Sequence, residues 1–311
     1  MLSRRNIRIK VMQSLYAYEL DSDMSLADAQ QKYKDGIDRS YNLFLFSLHI
    51  IGQICDFAST DEKWRKDKYL PNENDKAFKS IFSSNPLSQS LIHDEFLLKR
   101  AKQKSFEKLY DKDLLKSLYQ DFSQDEEYQA YSTKDEWSDE EHMEIFHALL
   151  RFLKKKESFN DILEDAFPNW IDDKSLVLGA IKKTFKALPL KEGWLRDFYP
   201  DSETVQEFGE QLFVKAASHR EEMEEIIKPK LKNWNIDRLA LIDKLCLEMA
   251  IIEFIHFTTI PVKVTINEYV DLSKRYSTDN SKEFINGLLD KVKADLLDSG
   301  KIVKQGRGLQ Q

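Results

Sequence analysis

"IPVKVTINEYVDLSKRYSTDNSKEFINGLLDK" runs from Ile260 to Lys291 and carries two helical patterns in succession. A proline opens a helical pattern that ends in a polar knot, Ser277 to Ser281, before a second helical pattern begins. Thr265 and Glu268 have capping-box spacing, which predicts a helix over 265–276. The last helix is expected to start near Asn280 or Ser281 and to end before Gly300. The backbone N–H groups at such a start lack helical partners and point into the knot, a favourable place for an anion. Lys274 and Arg275 end the first helix, Lys282 enters the second, and Phe284 follows two residues on. A base can stack on an aromatic ring while cations hold the phosphates. Phe284 therefore has two readings, a stacking platform or a core residue.

Upstream, residues 237–257 are apolar on nearly every side, the signature of a helix at the centre of a bundle. Residues 203–228 read as a helix stopped by Pro229. Residues 3–21 form an amphipathic pattern with Ile7, Val11, Leu15 and Tyr18 on one stripe and Ser3 as cap. Arg4, Arg5, Arg8 and Lys10 crowd its first turns, where cations oppose the helix macrodipole. That face is either solvated or an anion-binding surface. A buried helix is expected over 35–58, short helices over 59–90, and longer ones near 90–122, 139–156, 159–168 and 174–188. Residues 121–141 hold nine acids against Lys134 and read as a solvated linker or a helix start, and 189–201 as a loop. Nine glycines and seven prolines in 311 residues are too few for a turn-rich β fold. The fold class is all-α.

Several functions are disfavoured. The net charge of −7 argues against non-specific coating of nucleic acid, though not against a local basic patch. No GxGxxG, Walker loop, CxxC or HExxH occurs, and His142 and His147 are wrongly spaced for a shared metal. No catalytic residue, metal or cofactor is expected. Cys55 and Cys246 lie in apolar runs, as reduced core thiols of a cytosolic protein do. "MLSRRNIRIKV" lacks the apolar region of a signal peptide. "YNLFLFSLHIIGQIC", Tyr41 to Cys55, is too short and too interrupted by polar residues to span a bilayer, so it is expected in a core. A faint repeat relates 159–181 to 223–245, with Asn169-Trp170 on Asn233-Trp234 and Asp173 on Asp237. Chance similarity and a duplicated hairpin both account for it.

Three segments together resemble the NusB family of transcription antitermination factors. They are "RRNIRIKVMQSLYAYEL" from Arg4, "NWNIDRLALIDKLCLEMAIIEF" from Asn233, and the opening quotation with its "INE" and "FINGLLDK". The resemblance covers roughly 3–21 and 203–297 and leaves about 180 residues between them unexplained. It implies a bundle of two packed helical subdomains, enlarged here by an inserted helical segment. The expected division is a first helix in 1–22, an insertion in 23–202, the rest of the bundle in 203–299 and a disordered basic tail in 300–311.

The resemblance also implies a function. The family binds boxA-like single-stranded RNA of ribosomal RNA leaders with a small-subunit ribosomal protein acting as NusE, within the elongation complex. Arg4, Arg5 and Arg8 match the family's arginine-rich start, and guanidinium groups suit phosphate. With Lys274, Arg275, Asn280, Lys282 and Phe284 they make the expected RNA surface. Many relatives carry an acid where Asn280 stands, so this site is expected to be no weaker. Tyr16 and Asp243 fall where the family meets NusE. A scaffold with little RNA affinity is the alternative. An RNA cytosine methyltransferase is the remote one, since it needs a further catalytic domain.

Overall fold

The computed structural model describes residues 1–231 and 235–309, and helices are the only regular structure among the described residues. In chain order they are α1 (Arg4–Leu20), α2 (Leu26–Lys66), α3 (Glu73–Ala77), α4 (Ile81–Ser84), α5 (Pro86–Ile92) and α6 (Glu95–Gln103). Then come α7 (Lys112–Phe122), α8 (Glu126–Ser132), α9 (Asp139–Lys155), α10 (Glu157–Ala166), α11 (Trp170–Phe185) and α12 (Trp194–Asp197). After a π-helical stretch over Glu203–Glu210 follow α13 (Gln211–Ser218), α14 (Arg220–Ile227), α15 (Leu241–His256), α16 (Val262–Tyr276) and α17 (Ser281–Asp298). They form two compact units. A split unit comprises Leu2–Ile37 with Pro200–Gln311, and a central unit comprises Asp38–Tyr199 with Met1.

The central unit has its own core. The apolar run of α2 from Tyr41 to Ala58 is buried along with Phe82, Phe122, Phe146 and Trp170. α2 is long and apolar enough to cross a membrane, but 72% of its most apolar window is buried inside the protein. Its polar residues have partners in that core. Ser47 Oγ donates to the Leu43 carbonyl at 2.8 Å, Arg100 Nε donates to Asn42 Oδ1 at 2.8 Å, and His49 Nε2 lies 3.1 Å from Tyr110 Oη. Burial pushes the His49 imidazole down to about 4, so it packs there uncharged.

The acidic run 121–141 is folded rather than a free linker. Asp125 accepts from Glu127 N at 2.9 Å to start α8, and Glu141 Oε2 accepts from Ser138 N at 2.9 Å to start α9. Acids at helix starts complement the macrodipole, which explains where this run sits. Between those starts, Tyr128 and Tyr131 enter the core. The loop expected over 189–201 likewise contains α12.

The two repeat segments share buried positions, Leu163 with Ile227, Phe167 with Leu231, and Ile181 with Leu245. Their helix boundaries differ. Trp170 begins α11, whereas Leu241, the first residue of α15, aligns with Val177 inside α11. Asp173 is buried under hydrogen bonds from Ser40 and Asn169, whereas Asp237 is exposed. The Asn233-Trp234 match lies outside the described residues.

In the split unit α15 is central. Leu245 to Ile252 and Phe254 are buried in an unbroken run, packed by α1, α13, α14, α16 and α17. Three expectations change here. The helix read over 203–228 is π-helical at first and breaks at His219, α15 starts later than 237, and Pro261 rather than Thr265 precedes α16. Thr265 is drawn inward to a buried carboxylate and so cannot cap. Residues 302–305 of the tail read as disordered are packed. Ile302 is buried, Gln305 N donates to the Thr258 carbonyl at 3.0 Å, and Lys304 Nζ donates to the Phe257 carbonyl at 2.9 Å. A cation on the last carbonyls of α15 complements its dipole.

Gly209, in the π-helical stretch, makes the closest packing. A Cβ there would overlap Tyr33 Oη and the Ile7 side chain, and Tyr33 Oη is held by its bond to the Val205 carbonyl at 2.8 Å. Gly209→Ala should therefore destabilise the split unit by about 1–3 kcal/mol, read as a lower denaturant midpoint. An unchanged midpoint would show that α1 and α2 yield at this contact.

Candidate nucleic-acid interface

The charged start of α1 divides by burial. Arg8 is 3% exposed and Glu253, on α15, is fully buried. Arg8 Nε and Nη2 donate to Glu253 Oε2 and Oε1 at 2.8 and 2.7 Å, a bidentate fork. The same carboxylate accepts from Thr265 Oγ1 at 2.6 Å and Tyr269 Oη at 3.3 Å, both on α16. The guanidinium also lies over the rings of Phe208 and Tyr269, 5.0 and 5.9 Å from their centroids. Burial alone would lower the Arg8 pKa, but the charge and hydrogen bonds of Glu253 outweigh it and hold it above the ordinary value. Burial and then Glu253 push the Tyr269 phenol well up. Arg8 was expected on an RNA surface, and it is instead the internal partner of a buried acid. Its place off the apolar stripe misled that reading, because α15 and α16 supply polar groups there.

Arg4 and Arg5 do reach the surface. Arg4 Nη2 pairs with Glu203 Oε1 at 2.7 Å, and Arg5 Nη2 with Asp271 Oδ2 at 2.9 Å. All four side chains are at least 39% exposed. Such pairs contribute little to stability, so another anion can replace the carboxylate at small cost. Both arginines line a cleft of about 550 Å³ with Ser3, Thr259, Pro261 and Val264. The starts of α1 and α16 meet in it, bringing two sets of helix N-terminal dipoles to one place.

From this cleft the exposed side of α16 runs on to the knot. Asp271, which holds Arg5, is three and four residues before Lys274 and Arg275, the spacing of neighbours on a helix surface. Both cations are exposed. In the knot, Ser281 Oγ donates to Asp243 Oδ2 at 2.8 Å and lies 2.7 Å from Thr278 Oγ1 and 3.1 Å from Ser277 Oγ. The knot thus ties the start of α17 to the first turn of α15. Asp243, expected to face a protein partner, is 7% exposed and serves this tie. Asn280 is exposed, Lys282 pairs with Glu283 at 3.2 Å, and Phe284 is half-buried beside the core residue Ile285. Tyr16 is 38% exposed.

One group had no signal in the sequence. Glu248 is 1% exposed on α15, with Arg220 and Lys244 each 3.9 Å away and Oε1 without a hydrogen bond. Glu19 binds Arg220, and Glu224 binds Lys244 at 2.5 Å. Burial pushes the Glu248 carboxyl up to about 7 against the pull of both cations.

The NusB family model matches residues 182–294. The transcription antitermination protein NusB of Methylacidiphilum infernorum (isolate V4) is 44% identical over 105 residues, 34% of this chain and 71% of that protein. The chain belongs to the NusB family. NusB of Geobacter sulfurreducens is 36% identical over 115 residues, 37% of this chain and 83% of the relative. NusB of Salinibacter ruber is 42% identical over 106 residues, 34% of this chain and 66% of the relative. No solved structure matches significantly. The family match omits α1, yet α1 packs directly on α15 and α13 of the matched region.

Two outcomes separate the internal from the external charges. Arg8→Ala strands a buried carboxylate and should cost about 3–5 kcal/mol, whereas Arg5→Ala should stay within about 0.5 kcal/mol of the parent. Equal melting temperatures for the two variants would contradict this assignment. Glu248 titrates higher folded than its ordinary value of 4.5, so its contribution is fully present below pH 4.5 and is lost as pH rises through about 7. Glu248→Gln should therefore stabilise the protein at pH 8, with the gain shrinking toward pH 4.5. A gain independent of pH would show that the carboxylate does not titrate in that window.

Proposed function

We propose that this chain is a cytoplasmic, non-enzymatic antitermination factor that binds boxA-like single-stranded RNA of ribosomal RNA leaders. In this reading a small-subunit ribosomal protein acting as NusE binds with it in the transcription elongation complex. The observation that supports the RNA reading best is the surface pair Arg4 and Arg5. They rim a cleft at two helix starts, and their short ion pairs there are with the exposed carboxylates of Glu203 and Asp271. Phosphates displace Glu203 and Asp271 and gain charge-assisted bonds. The strand then follows α16 past Lys274 and Arg275 to Lys282, Asn280 and Phe284 at the start of α17. Arg8 contributes by fixing α1 against α15 and α16. Tyr16 offers an exposed aromatic on α1 for the protein partner, while Asp243 acts only through the knot.

Two measurements test this. Arg4→Ala with Arg5→Ala should weaken binding of boxA-like RNA and lower the log–log salt slope by roughly 1.4, about 0.7 for each single-stranded phosphate contact. The thermal melt should not move. An unchanged slope with an intact fold would remove the cleft from the RNA path. Phe284→Ala should cost roughly 1–3 kcal/mol of RNA affinity with a small change in melting temperature. A collapse of the melt would assign Phe284 to the core and leave the RNA on the arginines.

A further inference from the structure

The central unit carries a second charged surface. Residues 99–116 contain seven cations, Lys99, Arg100, Lys102, Lys104, Lys108, Lys112 and Lys116, against three acids, Glu107, Asp111 and Asp113. The following segment, 121–141, has the opposite balance, with nine acids and one lysine. Charge is thus sharply separated within one unit of an acidic protein.

Packing turns the basic segment into a surface. Phe106 is buried against Phe46, and Leu115, Leu118, Tyr119 and Phe122 seat the inner side of α7. The lysines are left outside. Lys99, Lys102, Lys104, Lys108 and Lys112 are exposed. Of these, Lys112 alone has an ion-pair partner among the described residues, Glu107 at 3.8 Å. Lys108, Lys112 and Lys116 are spaced by four, through the turn before α7 and up its outer side. Lys112 and Lys116, four apart on α7, repel each other, and a cation at a helix start opposes its dipole. Asp111 and Asp113 offset part of this cost. A polyanion lying along the row removes the rest.

An aromatic ring stands beside the row. Trp64, near the end of α2, is 44% exposed, and Lys116 Nζ lies 4.6 Å from its ring centroid. Tyr119 Oη donates to Asp61 Oδ2 at 2.9 Å and so fixes α7 against this end of α2. Leu98 and Leu109 add exposed apolar surface along the same segment. A row of cations with few acidic partners beside a half-exposed indole is the composition that holds a single strand, with phosphates on the lysines and a base on the ring.

We infer that the central unit holds a second binding site for single-stranded RNA, with its backbone along Lys104, Lys108 and Lys112 and a base against Trp64. The choice of RNA rests on the function proposed above. The site has no part in recognising boxA-like sequence, because lysine contacts and stacking are sequence-tolerant.

The test uses the full chain and two RNAs, a boxA-length oligonucleotide and the same oligonucleotide extended by a uridine tract. Lys104, Lys108 and Lys112 are changed together to Gln, Trp64 separately to Ala, and Arg4 with Arg5 to Ala. The lysine variant should bind the short RNA as the parent does. On the long RNA its log–log salt slope should fall by about 2, near 0.7 per phosphate lost. Trp64→Ala should weaken the long RNA about tenfold with an unchanged melt. Parent-like binding of both RNAs by the lysine and Trp64 variants would overturn the second site. If the arginine variant then loses both RNAs, the proposed function stands alone. Loss by the lysine variant with parent-like binding by the arginine variant keeps the second site and overturns the first. Parent-like RNA binding with lost association to the elongation complex would make the surface a protein dock and overturn the inference.

Discussion

The split unit is organised around one buried carboxylate. Glu253 sits on the most apolar helix of the chain and has no exposure. An isolated charge there would be prohibitive. It is tolerable because Arg8, Thr265 and Tyr269 give it four hydrogen bonds from two other helices. Those bonds are directional, so they fix the rotation and register of α1 and α16 about α15, which apolar packing alone leaves looser. Replacing such a pair by apolar groups is often neutral for stability, so its value here is as a register.

The surface follows from that register. With Arg8 turned inward, Arg4 and Arg5, one turn earlier on the same face of α1, fall at the cleft where α16 begins. The acids that hold them, Glu203 and Asp271, are exposed and weakly coupled, so these arginines are placed without being committed. The knot between α16 and α17 works in the same way. Ser281 spends its hydroxyl on Asp243, which anchors the start of α17 and leaves Asn280 and Lys282 outward. In both places one charged or polar contact is buried and leaves its neighbours exposed.

The central unit has a different basis. Its core is aromatic, with Phe82 against Phe122, Tyr128 and Phe146. Its charge is segregated, acids at the starts of α8 and α9 and lysines before and along α7. The first arrangement is explained by helix dipoles. The second is not, and for that reason it reads as a binding surface.

The helical class was legible in the sequence, because helical spacing of apolar residues and scarcity of glycine and proline are local properties. So was the central place of α15, since apolar residues on all sides leave no solvent face. Tyr41 to Cys55 was legible as core, and the "INE" and "FINGLLDK" motifs pointed to the family. Which charges are internal was not legible there. Arg4, Arg5 and Arg8 look alike in sequence, and what separates them is a carboxylate 245 residues from Arg8. The burial of Glu248, Asp243 and Ile302 was hidden for the same reason. A charge's burial depends on groups that distant segments bring to it, and no local pattern records them.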